Sequence, residues 1–151
     1  YPGVTMAGTV NDALVSQIDI MATLASVVGY DLPDKNAAED SHDLLPLLKG
    51  EVKSIRTSHV HNTFDHTWAF REGDWVFVTG KSGHHSRVTK EWLKKHDYPK
   101  TESKQPRLFN LREDIGQRND LATKHPEKVK AMEASLARIR EQGYSAPRLR
   151  K

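Results

Sequence analysis

Eight histidines in 151 residues are the first place to look for chemistry. His59 and His61 lie two apart in a stretch that alternates weakly between apolar and polar positions. On a strand both rings would point to one side and could chelate a divalent metal, with His66 or Asp65 close by as a third ligand. His-x-His by itself falls short of a full ligand pattern, and two ordinary strand histidines fit the same spacing. His84-His85, set among Gly and Ser, reads as a solvated loop. Asp40 and Asp43, flanking Ser41-His42, could act as a carboxylate pair or be solvated loop acids. Lys90, Lys94, Lys95, Lys100 and Lys104 are interleaved with Trp92 and Tyr98. That pattern could meet a polyanion by charge and stacking, or it could be a solvated face. No serine stands in a Gly-x-Ser-x-Gly elbow, no Gly-rich phosphate loop occurs, and no cysteine is present to serve as thiolate ligand or disulfide. Residue types and spacing alone give no complete catalytic centre.

The elements that would position these groups form a thin scaffold. Hydrophobic residues make up 36% of the chain, charged residues 28%, and mean hydropathy is -0.69. That suits a piece that docks on something larger better than a self-sufficient fold of this length. A net charge of +3 argues against reading the whole chain as a polyanion-binding module, and no nucleic-acid partner is expected. No apolar run approaches the roughly 18 residues that span a bilayer, so no membrane partner is expected. The chain opens on Tyr1 with nothing like a signal peptide after it, and a fragment of a longer protein is the expectation.

The stretch Trp68 to Val78 predicts a hairpin, with Glu72-Gly73-Asp74 as its turn and Gly73 supplying a positive φ. Counted across that turn, Trp68, Phe70, Val76 and Val78 share one face, while Ala69, Arg71, Trp75 and Phe77 share the other. Aromatics on both faces imply cover on both sides. Further strands are expected at 56–63 and 107–111. Ser16-Gln17-Ile18-Asp19 fits a helix start, and Ile20, Leu24, Val27 and Val28 form an apolar stripe that ends at Gly29. That periodicity predicts a well-buried helix over about 17–28. Asp31 to Asp43 reads as a surface loop, Leu44 to Gly50 as a helical turn broken around Pro46, and 80–105 as the least regular part, with Trp92-Leu93 anchoring a short helix. Pro126 opens a final amphipathic helix on Val129, Met132, Leu136 and Ile139, closed by Gly143. The fold class is α+β: a small antiparallel sheet of about four strands with a packed C-terminal helix at about 126–142.

The order of landmarks resembles the C-terminal part of the sulfatases of the arylsulfatase type. Pro2-Gly3, then Val15 to Leu24 ending at Gly29, then Pro33, is similar to the segment after that family's active site. Asp40-Ser41 with Leu44-Leu45-Pro46-Leu47-Leu48-Lys49-Gly50 resembles its next landmark. Ala69-Phe70-Arg71-Glu72-Gly73-Asp74-Trp75 resembles its Arg-x-Gly-x-Trp hairpin, and Leu108-Phe109-Asn110-Leu111 with Asp114 to Leu121 resembles the segment after it. Ile115, Gln117 and Asp120 depart from that last pattern, at positions that read as loop and cap chemistry.

The resemblance implies an alkaline-phosphatase-like parent, with residues 1–50 ending its large α/β domain and 51–151 forming a C-terminal subdomain. It implies that the parent hydrolyses aryl or carbohydrate sulfate esters with a formylglycine nucleophile and a calcium ion, both supplied upstream. This piece has no Cys/Ser-x-Pro-x-Arg motif, so it is expected to hold no catalytic residue, metal or cofactor and to be inactive alone. Its implied partners are the upstream catalytic domain and a sulfated small-molecule or carbohydrate substrate, and its implied location is periplasmic or extracellular. The one residue assigned to substrate is His61, in Val60-His61-Asn62-Thr63, since the end of this strand borders the family's cleft. A stand-alone binder of anionic polymers and a histidine-based metal module remain the alternatives.

Overall fold

A computed structural model describes residues 1–33, 37–62, 67–80, 89–97 and 105–147. The chain divides into two compact units, Val60–Arg138 and the pair of segments Tyr1–His59 with Ile139–Lys151.

The Val60–Arg138 unit is organised by a four-stranded sheet of order β1-β2-β3-β4, with β1 at Ser58–Asn62, β2 at Trp68–Glu72, β3 at Trp75–Val78 and β4 at Arg107–Asn110. The pairs β2–β3 and β3–β4 are antiparallel. The hairpin turns on two residues rather than three: Glu72 pairs with Trp75, and Gly73 takes φ 57° between them. A two-residue loop changes which positions share a face. Phe70 lies opposite Phe77, and Ala69 opposite Val78, so the face assignment made from the sequence is wrong across the turn. Trp68, Phe70, Trp75, Phe77 and Leu108 share one face, and Ala69, Val76, Val78 and Phe109 share the other. Both faces are buried, as the aromatics on each implied: Phe70, Phe77 and Leu108 on one, and the cluster of Ala69, Val76, Val78 and Phe109 on the other.

Helix α4 (Pro126–Gln142) opens on Pro126, whose fixed φ and missing N–H suit a first turn. Its start lies over the Phe70 and Phe77 face. The Lys128 ammonium meets the Glu72 carboxylate at 3.3 Å and stands 6.0 Å from the Trp75 ring, and His125 packs edge-on against the same ring. Met132 and Leu136, one turn apart, are fully buried. The outer edge of β4 is covered as well: Leu121 N–H donates to the Leu108 carbonyl at 2.7 Å, and Asp120 Oδ1 accepts from Leu108 N–H at 3.1 Å. Asp120 also accepts from Ala122 N–H at 2.9 Å, so it acts as the cap that the sequence suggested. The expected α+β class, an antiparallel sheet with a packed C-terminal helix, is the class observed.

In the Tyr1–His59 and Ile139–Lys151 unit, a 3-10 turn (Gln17–Asp19) leads into α1 (Ile20–Val28), and Gly29 at φ 68° ends it. Tyr30 N–H reaches back to the Ala25 carbonyl, as a left-handed glycine stop requires. Helix α2 is one turn, Leu45–Leu48, with Pro46 inside its first turn rather than breaking it. The expectation of a well-buried α1 stripe is not met. Ala22, Thr23 and Ala25 face inward, while Ile20, Leu24 and Val28 are exposed. The inward face is committed to polar loop contacts that only small side chains allow. Residues 145–146 strap this unit: Ala146 N–H donates to the Glu39 carbonyl, and Ser145 donates to Asp40 Oδ1 from both N–H and Oγ. Helix α3 (Lys90–Lys95), within Val60–Arg138, is capped by the Thr89 hydroxyl accepting from Trp92 N–H. Among the described residues no helix is long and apolar enough to cross a membrane.

Candidate functional site

The densest polar arrangement among the described residues surrounds Asp19 and Arg56, both fully buried. The 3-10 turn presents the Asp19 carboxylate inward. Arg56 Nε donates to Oδ2 at 3.1 Å and Nη2 to Oδ1 at 2.5 Å. The same carboxylate accepts from Ser16 N–H at 2.8 Å and His42 N–H at 2.9 Å. The other donors of Arg56 reach the Asp40 carbonyl at 2.6 Å and the Ser58 carbonyl at 3.2 Å. Four of the five N–H donors of the planar guanidinium are thus engaged, and a buried charge needs such partners to be tolerated.

Three further bonds tie α1 to the loop carrying Asp40 and Asp43. Ser41 Oγ accepts from Ala22 N–H, Thr23 Oγ1 accepts from Leu44 N–H, and Ser26 Oγ donates to Asp43 Oδ2 at 2.6 Å. Asp43 Oδ1 accepts from Leu45 N–H, so Asp43 also starts α2. Beside this lies a cleft of about 540 Å³, lined by Ala25, Tyr30, Pro33, His42, Asp43 and Ile55 among others.

The electrostatics are those of a bracket. Burial would raise the Asp19 pKa, but hydrogen bonds from Arg56, His42 and Ser16 outweigh it and hold the carboxyl below its ordinary range. Burial lowers the His42 pKa, and the Arg56 charge lowers it further, against smaller opposing effects of Asp19 and Asp40. Near neutral pH, Asp19 is therefore an ion locked to Arg56, and His42 is neutral. This arrangement fixes a loop and shapes a cleft. It presents no nucleophile with an adjacent base.

The candidates read from the sequence are dispersed. His61 sits on β1, the edge strand, and is exposed; His59 on the same strand is half-buried. Asp65, His66, His84 and His85 lie outside the described residues, and among the described residues no three His, Asp or Glu groups gather as a metal-ligating set. Asp40 and Asp43 are no free carboxylate pair, since hydrogen bonds engage them with Ser145, Ser26 and Leu45. Lys90, Lys94 and Lys95 are exposed on α3, where Trp92 packs against His96 with ring centroids 4.3 Å apart. Lys100, Lys104 and Tyr98 lie outside the described residues. Sequence reasoning missed Arg56 altogether, placing it at the start of a strand, and read Asp19 only as a helix-start acid. A lone arginine just ahead of an alternating stretch, with a capping acid far upstream, was the available signal.

No family model matches the chain. It is 30% identical over 128 residues to an N-acetylgalactosamine-6-O-sulfatase of Bacteroides thetaiotaomicron, a match covering 85% of this chain and 24% of that protein. It is 32% identical over 133 residues to arylsulfatase A of Bos taurus, covering 80% of this chain and 24% of that protein. Among solved structures, one from work on the metabolism of multiple glycosaminoglycans by Bacteroides thetaiotaomicron superposes with a TM-score of 0.64 at 28% identity, over 85% of this chain and 25% of the other. The chain spans about a quarter of the length of the relatives it matches.

Proposed function

We propose that this chain, which corresponds to the C-terminal region of sulfatases, belongs to a protein that hydrolyses sulfate esters of carbohydrate or aryl alcohols. The observation that carries the reading is the 30% identity over 128 residues to an N-acetylgalactosamine-6-O-sulfatase. Residues 1–50 then end the large α/β domain and 51–151 form the C-terminal subdomain. The upstream catalytic domain is the partner, a sulfated sugar or aryl sulfate the substrate, and the periplasm or the cell exterior the location.

In this reading the formylglycine and the calcium ion come from the upstream part. Among the described residues no carboxylates or histidines gather to hold the ion, and the sequence has no precursor for the aldehyde. There is no cysteine and no Cys/Ser-x-Pro-x-Arg motif. Oxygens of Asp19, Asp40 and Asp43 already accept hydrogen bonds from Arg56, Ser145, Ser26 or backbone N–H groups. What this region contributes is scaffold, in each unit by itself. The Asp19–Arg56 bracket sets the loop from Asp40 to Leu45, and the sheet presents β1 at its edge.

His61, exposed near the end of β1, is the residue assigned to the substrate. Its ring donates a hydrogen bond to a sulfate oxygen or a sugar hydroxyl. The test is kinetic. The complete polypeptide should turn over an aryl sulfate or N-acetylgalactosamine 6-sulfate, and the 151-residue chain alone should turn over neither. In the complete polypeptide, His61→Ala should lower kcat/KM by about tenfold, about 1.4 kcal/mol of lost transition-state stabilisation, with Tm unchanged. Failure of the complete polypeptide on every sulfate ester overturns the activity. Unaltered kinetics in His61→Ala remove His61 from the site and leave the activity standing.

A further inference from the structure

Helix α1 buries the wrong residues for a helix that is finished. It hides Ala22, Thr23 and Ala25 and shows Ile20 at 55% exposure, Leu24 at 57% and Val28 at 74%, with Met21 beside them. Ile20, Leu24 and Val28 recur at four-residue steps, so they form one stripe along the helix. No charged residue occurs between Ile20 and Tyr30. A solvent-facing helix surface normally carries charges, and an uninterrupted apolar stripe of this kind marks an interface. The helix cannot turn to hide it. Its opposite side is pinned at three successive levels, through Ala22 N–H to Ser41 Oγ, Thr23 Oγ1 to Leu44 N–H, and Ser26 Oγ to Asp43.

We propose that the Ile20, Met21, Leu24 and Val28 face of α1 is the seam on which the catalytic part of a sulfatase polypeptide docks. The identity of the occupant rests on the sulfatase reading above; the existence of the seam does not. Two observations favour this occupant over a second copy or a small ligand. The matched relatives carry about three quarters of their length outside the matched region, so in them a body of protein far larger than this chain is available to cover the helix. The face also lacks the polar groups that orient a small ligand and the charged rim of a transient contact, and it has the composition of a permanent protein core. Substrate does not touch it. Its role is to fix the Asp19–Arg56 bracket, built on the other side of the same helix, against the catalytic part.

The chain contains no cysteine, which permits a direct test. Leu24→Cys, and separately Val28→Cys, are made in the 151-residue chain and in the complete polypeptide. Maleimide labelling of the peptide containing the new thiol is then compared with the same peptide in denaturant. In the 151-residue chain the two rates should agree within a few-fold. In the complete polypeptide labelling should slow by about 100-fold or more, the protection that a packed helix gives. A photocrosslinker on the same thiol should map to sequence upstream of this region.

Equal labelling in both proteins at both positions overturns the seam. So does protection in the 151-residue chain that grows with its concentration, or a crosslink to a second copy, either of which assigns the face to self-association. Protection with upstream crosslinks but no sulfate ester hydrolysis upholds the seam and sinks only the sulfatase reading. Hydrolysis without protection does the reverse.

Discussion

Among the described residues, the largest fully buried side chains of the Val60–Arg138 unit are Phe70, Phe77, Leu108 and Met132; in the other unit they are Asp19 and Arg56. The first unit hides apolar area on both faces of a sheet, and its stabilisation is additive and weakly directional. The second hides a multiply hydrogen-bonded ion pair, and leaves the large aliphatic side chains of α1 outside. The physical costs differ accordingly. Removing carbon atoms from a sheet core leaves a cavity, whereas removing one partner of a buried pair leaves an uncompensated charge. The contrast separates a region that carries its own core from one that carries its own geometry and takes its apolar cover from elsewhere.

The contrast can be broken most sharply at Arg56. Arg56→Ala should cost about 3–5 kcal/mol, because it strands the Asp19 carboxylate in a site that water does not reach. Amide exchange should rise across residues 16–45 and stay unchanged in β2, β3 and β4. Uniform loss of protection across the chain would mean that the units do not unfold separately. Phe77→Ala is the mirror experiment. Its expected cost is about 3 kcal/mol from lost transfer energy and an unfilled cavity, with exchange rising in the strands and not in α1.

A milder probe is pH. The folded-state pKa of Asp19 lies below its ordinary 3.8, so its stabilisation is present above that value and is lost as pH falls through the lower, folded pKa. The folded-state pKa of His42 lies below its ordinary 6.5, so between the two the unfolded chain binds the extra proton and stability falls with falling pH there too. Both groups make the same unit acid-sensitive, in two windows, one below about 6.5 and a deeper one below about 3.8. Chemical denaturation followed at pH 7, 5 and 3 should show exchange in residues 16–45 responding before the strands. Equal sensitivity of both units would refute the assignment.

Much of the sheet unit could be read from residue types, because alternation and turn chemistry are local. Pro126 and Gly143 bounded α4 correctly, and Arg-Glu-Gly-Asp-Trp marked the hairpin. The faces could not be read, since they depend on whether the loop holds two residues or three, and one residue inverts the parity of a strand. As a result Trp68 shares a face with Phe77 rather than with Val76 and Val78. The buried network was illegible for another reason. Asp19 and Arg56 are 37 positions apart, and no local pattern pairs them. The stripe on α1 was visible in the sequence, but periodicity says only that a face is apolar, not which body of protein covers it.

The strap from Ser145 and Ala146 to Glu39 and Asp40 has a consequence for synthesis. Ser145 and Asp40 are 105 positions apart, so on a ribosome the Tyr1–His59 segment must wait for nearly the whole chain before its last contacts can form. The contiguous Val60–Arg138 unit is under no such delay and can close as soon as α4 clears the exit tunnel. A chain released early, short of Ser145, would carry a finished sheet and an unfastened Asp40 loop. Ribosome-bound chains stalled at successive lengths should accordingly gain protease resistance in two steps, with β2, β3 and β4 protected first and residues 37–45 only after the strap has emerged.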